Sequence, residues 1–125
     1  MKITQVSADN IRIPLKRPVK NSAFSFDSCE YTVVRIQTDA GIEGWSFVFG
    51  MPLTKNMVEL LAPVLIGENV EIKRLWNKLY GTLRARFDRG GISMRAISAV
   101  DIALWDILGK EAGMPVYRLL GGTDA

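Results

Sequence analysis

Residues 93–112 constrain the fold more than any other part of this chain. Ile97, Val100, Leu104, Ile107 and Leu108 fall on one face at helical spacing, and Ala96, Ala99 and Ala103 fall on an adjoining one. A helix that is apolar over more than half its circumference cannot rest on a surface, so other elements have to wrap it on several sides. Gly113 and Pro115 supply its stop, and a short turn over residues 116–120 leads into Gly121 and Gly122.

The remaining periodicities say what wraps it. Residues 71–87 carry Ile72, Leu75, Trp76, Leu79, Tyr80 and Leu83 at three- and four-residue steps, an amphipathic helix that Asp88, Arg89, Gly90 and Gly91 break. Thr54 reads as the N-cap of a helix starting at Lys55, with Pro63 kinking or ending it. Upstream the period changes to two. Ile11, Ile13 and Leu15 alternate with Arg12 and Pro14, placing Pro14 at a strand end or edge. Residues 31–38 are rich in β-branched side chains, and after Asp39, Ala40 and Gly41 residues 42–49 resume extended character, which predicts a hairpin. Between the first two strands, residues 16–30 show no helical period and are expected to form a loop, of a length that is uncommon unless the loop is functional or mobile. Strands followed by helices give an α+β fold, a three-stranded antiparallel meander and then a helical bundle.

Composition narrows the chemistry. With 125 residues the chain has one domain's length, and 48% hydrophobic against 23% charged residues is the balance of a packed core. There is no histidine, so no Ser-His-Asp triad, Cys-His dyad or histidine metal ligand is possible within these residues. Cys29 is the only cysteine and makes no internal disulfide, which suits a reducing compartment. No secretory h-region opens the chain and no segment is long and apolar enough for a membrane span, so a cytoplasmic protein without a membrane partner is expected. The net charge of +3 is spread along the sequence rather than gathered, and no nucleic-acid partner is expected.

Few residues stand out as chemical candidates. Asp101 and Asp106 lie about 140° apart on a helix and cannot share a metal or a proton. Asp106 precedes Lys110 by four residues, a favourable ion-pair order, and Asp101 is expected to be a buried anchor for an arginine. Trp45, Trp76 and Trp105 are expected in the core. The glycines make no phosphate-binding motif. In the segment 16–30, Val19, Asn21 and Ala23 alternate with Lys20 and Ser22, and Phe24 and Phe26 have no periodic partner to bury them, which suits a lid and equally an ordinary surface loop packed by its own phenylalanines. Phe49, Gly50, Met51 and Pro52, at a strand exit, form the second candidate loop.

The motif Ala99-x-Asp101-Ile102-Ala103-Leu104-Trp105-Asp106-Ile107-x-Gly109-Lys110, with Gly113-x-Pro115-Val116-x-x-Leu119-Leu120-Gly121-Gly122, resembles the end of the N-terminal domain of the mandelate racemase/muconate lactonizing branch of the enolase superfamily. Ile13-Pro14-Leu15 before Pro18-Val19, and Thr38-x-x-Gly41-x-x-Gly44, match the same branch. The resemblance implies that residues 1–125 are a capping domain, with about 113–125 the start of a linker to a (β/α) barrel that lies outside this chain. It implies Mg²⁺ held by barrel carboxylates in the complete enzyme and none bound by this chain, with no catalytic or metal-ligating residue here. It implies a hydroxy or sugar acid as substrate, racemised or dehydrated by proton abstraction alpha to its carboxylate, and a homo-oligomer as the assembled form. Val19, Asn21, Ala23 and Phe26 of the first loop, with Met51 of the second, would line the substrate's distal side, and Lys16, Arg17 and Lys20 would attract an acid. The other reading is a free-standing, non-enzymatic interaction or assembly module with the same fold.

Overall fold

The computed structural model describes residues 1–50, 52–86 and 90–123. Three strands come first, β1 (Ile3–Lys20), β2 (Ser25–Thr38) and β3 (Glu43–Phe49), and four helices follow, α1 (Pro52–Leu65), α2 (Ile72–Arg86), α3 (Gly91–Ala112) and α4 (Val116–Leu119). The strands pair antiparallel in the order β1-β2-β3, the meander expected of an α+β chain. Gly41 closes the β2–β3 turn at φ +76, a left-handed backbone that glycine reaches at no steric cost, and donates its N–H to the Thr38 carbonyl at 3.1 Å.

Alternation along β2 sorts the sheet into two faces. Thr32, Val34, Ile36 and Thr38 are buried toward the helices, and the β3 partners of the middle two are small: Gly44 opposite Ile36, and Ser46 opposite Val34. This is where α3 packs, presenting its own stripe of small residues. Ser46 Oγ donates to the Ala99 carbonyl at 2.5 Å, and a Cβ at Gly44 would lie 2.0 Å from the Ala103 carbonyl oxygen. Small residues on both sides let the helix backbone descend almost onto the strand. Ala96, Ile97, Ala99, Val100, Ala103, Leu104 and Ile107 are all buried, so α3 is the wrapped helix its composition demanded. Gly113 ends it in the left-handed conformation at φ 63; its N–H bonds the Lys110 carbonyl at 3.2 Å and that of Met114 the Gly109 carbonyl at 2.9 Å.

Around α3, Leu75, Leu79 and Leu83 of α2 and Val58, Leu61 and Leu65 of α1 complete one core with Val34 and Ile36. Four expectations need correction here. Thr54 is not an N-cap: α1 already starts at Pro52, and Thr54 lies inside it, buried, with no partner for Oγ1 among the described residues. Pro63 does not end α1, which runs to Leu65, because Pro63 and Glu59, whose carbonyl the missing N–H leaves free, both face solvent. Trp45 is not core but 46% exposed on the sheet face away from the helices, whereas Trp76 and Trp105 are partly buried. Asp101 has no arginine partner among the described residues; partial burial raises its pKa and a hydrogen bond with Trp105 opposes that rise. Asp106 does pair with Lys110, at 2.6 Å. The expected helix end at Phe87 and the breaker residues Asp88 and Arg89 lie outside the described residues.

Candidate functional site

The segment 16–30, expected as an irregular loop, is instead most of a β-hairpin. β1 continues to Lys20 and β2 begins at Ser25, with Val19 opposite Phe26 and Lys20 opposite Ser25. The register slips between Pro14 and Val19, where the proline removes a ladder donor. Residues 21–24 close the tip. Asn21 donates its N–H to the Phe24 carbonyl at 2.9 Å, and its side-chain oxygen accepts the N–H groups of Ala23 and Phe24 at 2.9 and 2.7 Å. The carboxamide oxygen of Asn21 is thus committed to shaping the turn.

Because β3 ends at Phe49, opposite Tyr31, β1 and β2 run on without a third strand. Phe26 lies five residues beyond Tyr31, so the hairpin projects about 17 Å past the sheet as a two-stranded arm. Val19, Phe24 and Phe26 are 59%, 66% and 46% exposed there, the two phenylalanine rings 6.2 Å apart. Four of the five candidate substrate-lining residues, Val19, Asn21, Ala23 and Phe26, are therefore gathered at the arm tip. Met51 lies outside the described residues.

Its neighbour Gly50 sits at the arm's base. The Gly50 N–H bonds the Glu30 carbonyl at 2.8 Å, and a Cβ there would lie 2.5 Å from both the backbone nitrogen and Oγ1 of Thr32. The Glu30 side chain in turn accepts from Arg12 Nε at 2.9 Å across the arm. The exit from β3 and the root of the arm thus meet at one residue.

Two further features were not foreseen. On the exposed sheet face Arg35 donates through Nε to Glu43 at 3.0 Å, with a second contact through Nη2, and Gln37 Nε2 donates to the same carboxylate at 2.7 Å. These donors, the arginine first, pull the Glu43 carboxyl from 4.5 down to about 2. A carboxyl held low in the folded state stabilises the fold at pH above its unfolded value and loses that contribution as the pH drops through its folded value. We therefore expect the thermal midpoint to fall as the pH goes from about 4.5 to about 2, and Glu43→Gln to flatten that part of the profile; an unchanged slope in the variant would show that the pair does not contribute.

The second feature closes the free edge of β3. Asp106 Oδ2 accepts the outward N–H of Trp45 at 2.8 Å, and Lys110 Nζ donates to the Glu43 carbonyl at 2.8 Å. One turn of α3 thereby supplies an acceptor and a donor to the strand edge, as a fourth strand would. The only hint in the sequence is the four-residue spacing of the two charges, which by itself also describes a solvated ion pair.

The described residues do not form a magnesium site: no three His, Cys, Asp or Glu side chains among them are gathered to hold an ion. Glu30, Glu43, Glu68 and Asp106 each bind a neighbouring cation instead. No helix among the described residues is long and apolar enough to cross a membrane.

Comparison with known proteins places this arrangement. Residues 3–121 match the family described as the mandelate racemase / muconate lactonizing enzyme, N-terminal domain. The chain is 37% identical over 125 residues to a D-galactarolactone cycloisomerase of Agrobacterium fabrum, a match covering 98% of this chain and 32% of that protein. It is 46% identical over 98 residues to a D-galactonate dehydratase of Verminephrobacter eiseniae, covering 71% of this chain and 24% of the other. A solved enolase from Bradyrhizobium, complexed with magnesium and mandelic acid, superposes with a TM-score of 0.89 at 31% identity, covering 99% of this chain and 36% of that one. The chain thus spans about a third or less of the length of these relatives.

Proposed function

The chain belongs to the mandelate racemase / muconate lactonizing enzyme family, whose N-terminal domain it matches, and from that premise we infer that it is the substrate-selecting cap of a longer enolase-superfamily isomerase or lyase acting on a hydroxy or sugar acid. The observation that carries this reading is the arm: a hairpin that holds apolar side chains in solvent beyond the sheet, where no other described residue covers them. Exposed aromatic residues on a projecting element make sense when a second surface closes against them, excluding water from the ligand between. Relatives named as a galactarolactone cycloisomerase and a galactonate dehydratase support a polyhydroxylated acid as the ligand class.

The roles follow from position. Val19 and Phe26, cross-strand partners, would present a shaped apolar wall to the substrate's distal end, with Ala23 leaving room beside them. Asn21 would act through the turn, since its oxygen fixes the tip that carries Ala23 and Phe24. Lys16, Arg17 and Lys20, all exposed on the arm, would raise the local concentration of a carboxylate ligand. Met51 would contribute from the second loop. The resemblance implies a magnesium ion held outside this chain in the complete enzyme, where it would supply charge stabilisation; the described residues gather no ligand set for it.

The test is Phe26→Ala in the protein as its gene encodes it, assayed on a panel of acid sugars. One changed apolar pocket contact alters discrimination by roughly 10–200-fold in the ratio of kcat/KM values. The thermal midpoint should barely move, because the side chain is 46% exposed. Unchanged preference with a large fall in midpoint would make Phe26 a structural residue and remove the basis for the cap reading.

A further inference from the structure

One face of the arm continues the helix side of the sheet. Alternation along β2 sets Thr32, Glu30 and Phe26 on that side in order from root to tip, and the register places Asn10, Arg12 and Val19 opposite them. Tyr31, by contrast, shares the other face with Ile11 and Ile13. The ion pair of Arg12 and Glu30 therefore stands on the same face as the apolar wall of Val19 and Phe26, four residues of β2 nearer the root. There the Gly50 N–H, bonded to the Glu30 carbonyl at 2.8 Å, brings in the connection from β3 to α1. The pair is bonded in a way that leaves it open. Arg12 donates through both Nε and Nη2, at 2.9 and 2.5 Å, to a single oxygen of Glu30, Oε1. Glu30 Oε2 and Arg12 Nη1 have no partner among the described residues. Arg35 and Glu43 show the closed alternative: Nε reaches one carboxylate oxygen, Nη2 the other, and Gln37 adds a third donor. A tie that served only to hold two strands together would gain from the closed fork. An exposed pair such as Arg12 and Glu30, with side chains 71% and 37% exposed, contributes little to stability in either form.

We propose that Arg12 and Glu30 are specificity-determining residues that read two adjacent hydroxyls of the ligand, one hydroxyl donating to Glu30 Oε2 and its neighbour accepting from a free guanidinium N–H of Arg12. The inference rests on the cap reading, and it supplies the hydroxyl recognition that the apolar wall of Val19 and Phe26 cannot. A hydroxyl both donates and accepts, so a neighbouring pair of them can use an open acceptor and an open donor at once. The two charges of the ion pair cancel, which suits a neutral diol within a polyhydroxylated acid. A second carboxylate placed here would gain the arginine but meet the Glu30 charge. A carbon chain without hydroxyls would leave both open groups unpaired once the closing arm expels water, and that loss disfavours it.

The experiment measures kcat/KM of the protein as its gene encodes it on a panel of aldonic and aldaric acids that includes epimers at single carbons. The variants are Glu30→Gln, Arg12→Lys and the exchanged pair Arg12→Glu with Glu30→Arg. Glu30→Gln turns the open acceptor into a donor at nearly constant size; it should lower the discrimination between epimers by ~10-fold or more while the thermal midpoint barely moves. Arg12→Lys keeps the charge and loses the planar fork, and the same result is expected. The exchanged pair restores the tie between the strands but presents donor and acceptor from the opposite sides. Its midpoint should match wild type while the epimer preference stays lost. A wild-type preference in the exchanged pair, or an equal loss on every acid in Glu30→Gln, would make the pair a tie alone and overturn the proposal. Its failure is separable from that of the cap reading: if Phe26→Ala changes preference and these three variants do not, the cap stands and the hydroxyl reading falls. An enzyme that turns over no acid of the panel removes both.

Discussion

Gly44→Ala should unfold this domain or leave it barely folded, at a cost of about 3 kcal/mol or more. The new methyl carbon would sit 2.0 Å from the Ala103 carbonyl oxygen and 2.6 Å from Ile107 Cγ1. The first of these is backbone, so no side-chain rotation relieves it; α3 itself would have to lift off the sheet. That movement would strip Ser46 from the Ala99 carbonyl and pull apart the contacts of Ala96, Val100 and Leu104 with the rest of the core. The comparison that isolates the cause is Gly81→Ala in α2, where an added Cβ meets nothing within 4 Å. There the same substitution is expected to stabilise by about 0.5–1 kcal/mol, because alanine loses less chain entropy in a helix. Urea denaturation of the two variants should therefore shift in opposite directions, and equal shifts would mean that the strand–helix seam is not as close as described.

The next largest effect is expected from Asp106→Ala, which removes both the acceptor for the Trp45 N–H and the partner of Lys110. An unpaired donor at a half-buried edge and a lost charge-assisted bond together should cost about 2 kcal/mol. The ion pair is partly exposed, so its own share is only a few tenths of a kcal/mol. Asp106→Asn, which keeps an acceptor for Trp45 and drops the charge, should accordingly recover most of the loss. A second symptom is expected in the alanine variant alone. With the β3 edge open, light scattering on prolonged incubation should rise, as it does for exposed flat edges generally. If Asp106→Asn proved as damaging as Asp106→Ala, the pair with Lys110 would be the main contribution and the edge bond incidental.

Several elements could be read directly from the residues. The alternation of residues 31–38, the Asp39-Ala40-Gly41 turn, the leucine stripe of α2 and the wrapped character of α3 each carry their own period, and each formed as that period dictates. The first eight residues of β1 were missed for a physical reason: the register slips between Ile3 and Gln5, so Ile3 and Val6 fall out of two-residue phase although both belong to one strand. The arm was mistaken for a loop because both its faces meet water, and a strand without a buried face leaves no hydrophobic alternation to detect. Trp45 misled through size, since a large aromatic residue is ordinarily the buried one. The better cue was its neighbours: Gly44 and Ser46 match the small-residue stripe of α3, which assigns the small side of β3 to the core and the aromatic side to the outside. For the site, spacing alone suggested pocket-lining residues without showing that they share one hairpin tip, because the closing turn depends on Asn21 bonding its own backbone.

The arm is tied to the exit of β3 through Glu30, whose carbonyl accepts the Gly50 N–H, while the Glu30 carboxylate accepts from Arg12 across the ribbon itself. Beyond that rivet, among the described residues, the ladder of a two-stranded ribbon is what resists bending, and such ribbons are marginal by themselves. The hairpin is therefore a cantilever: small angular play at its root becomes displacement of several ångströms at Phe24. A change of partner at Glu30, Arg12 or Gly50 would re-aim the far end without altering a single residue there.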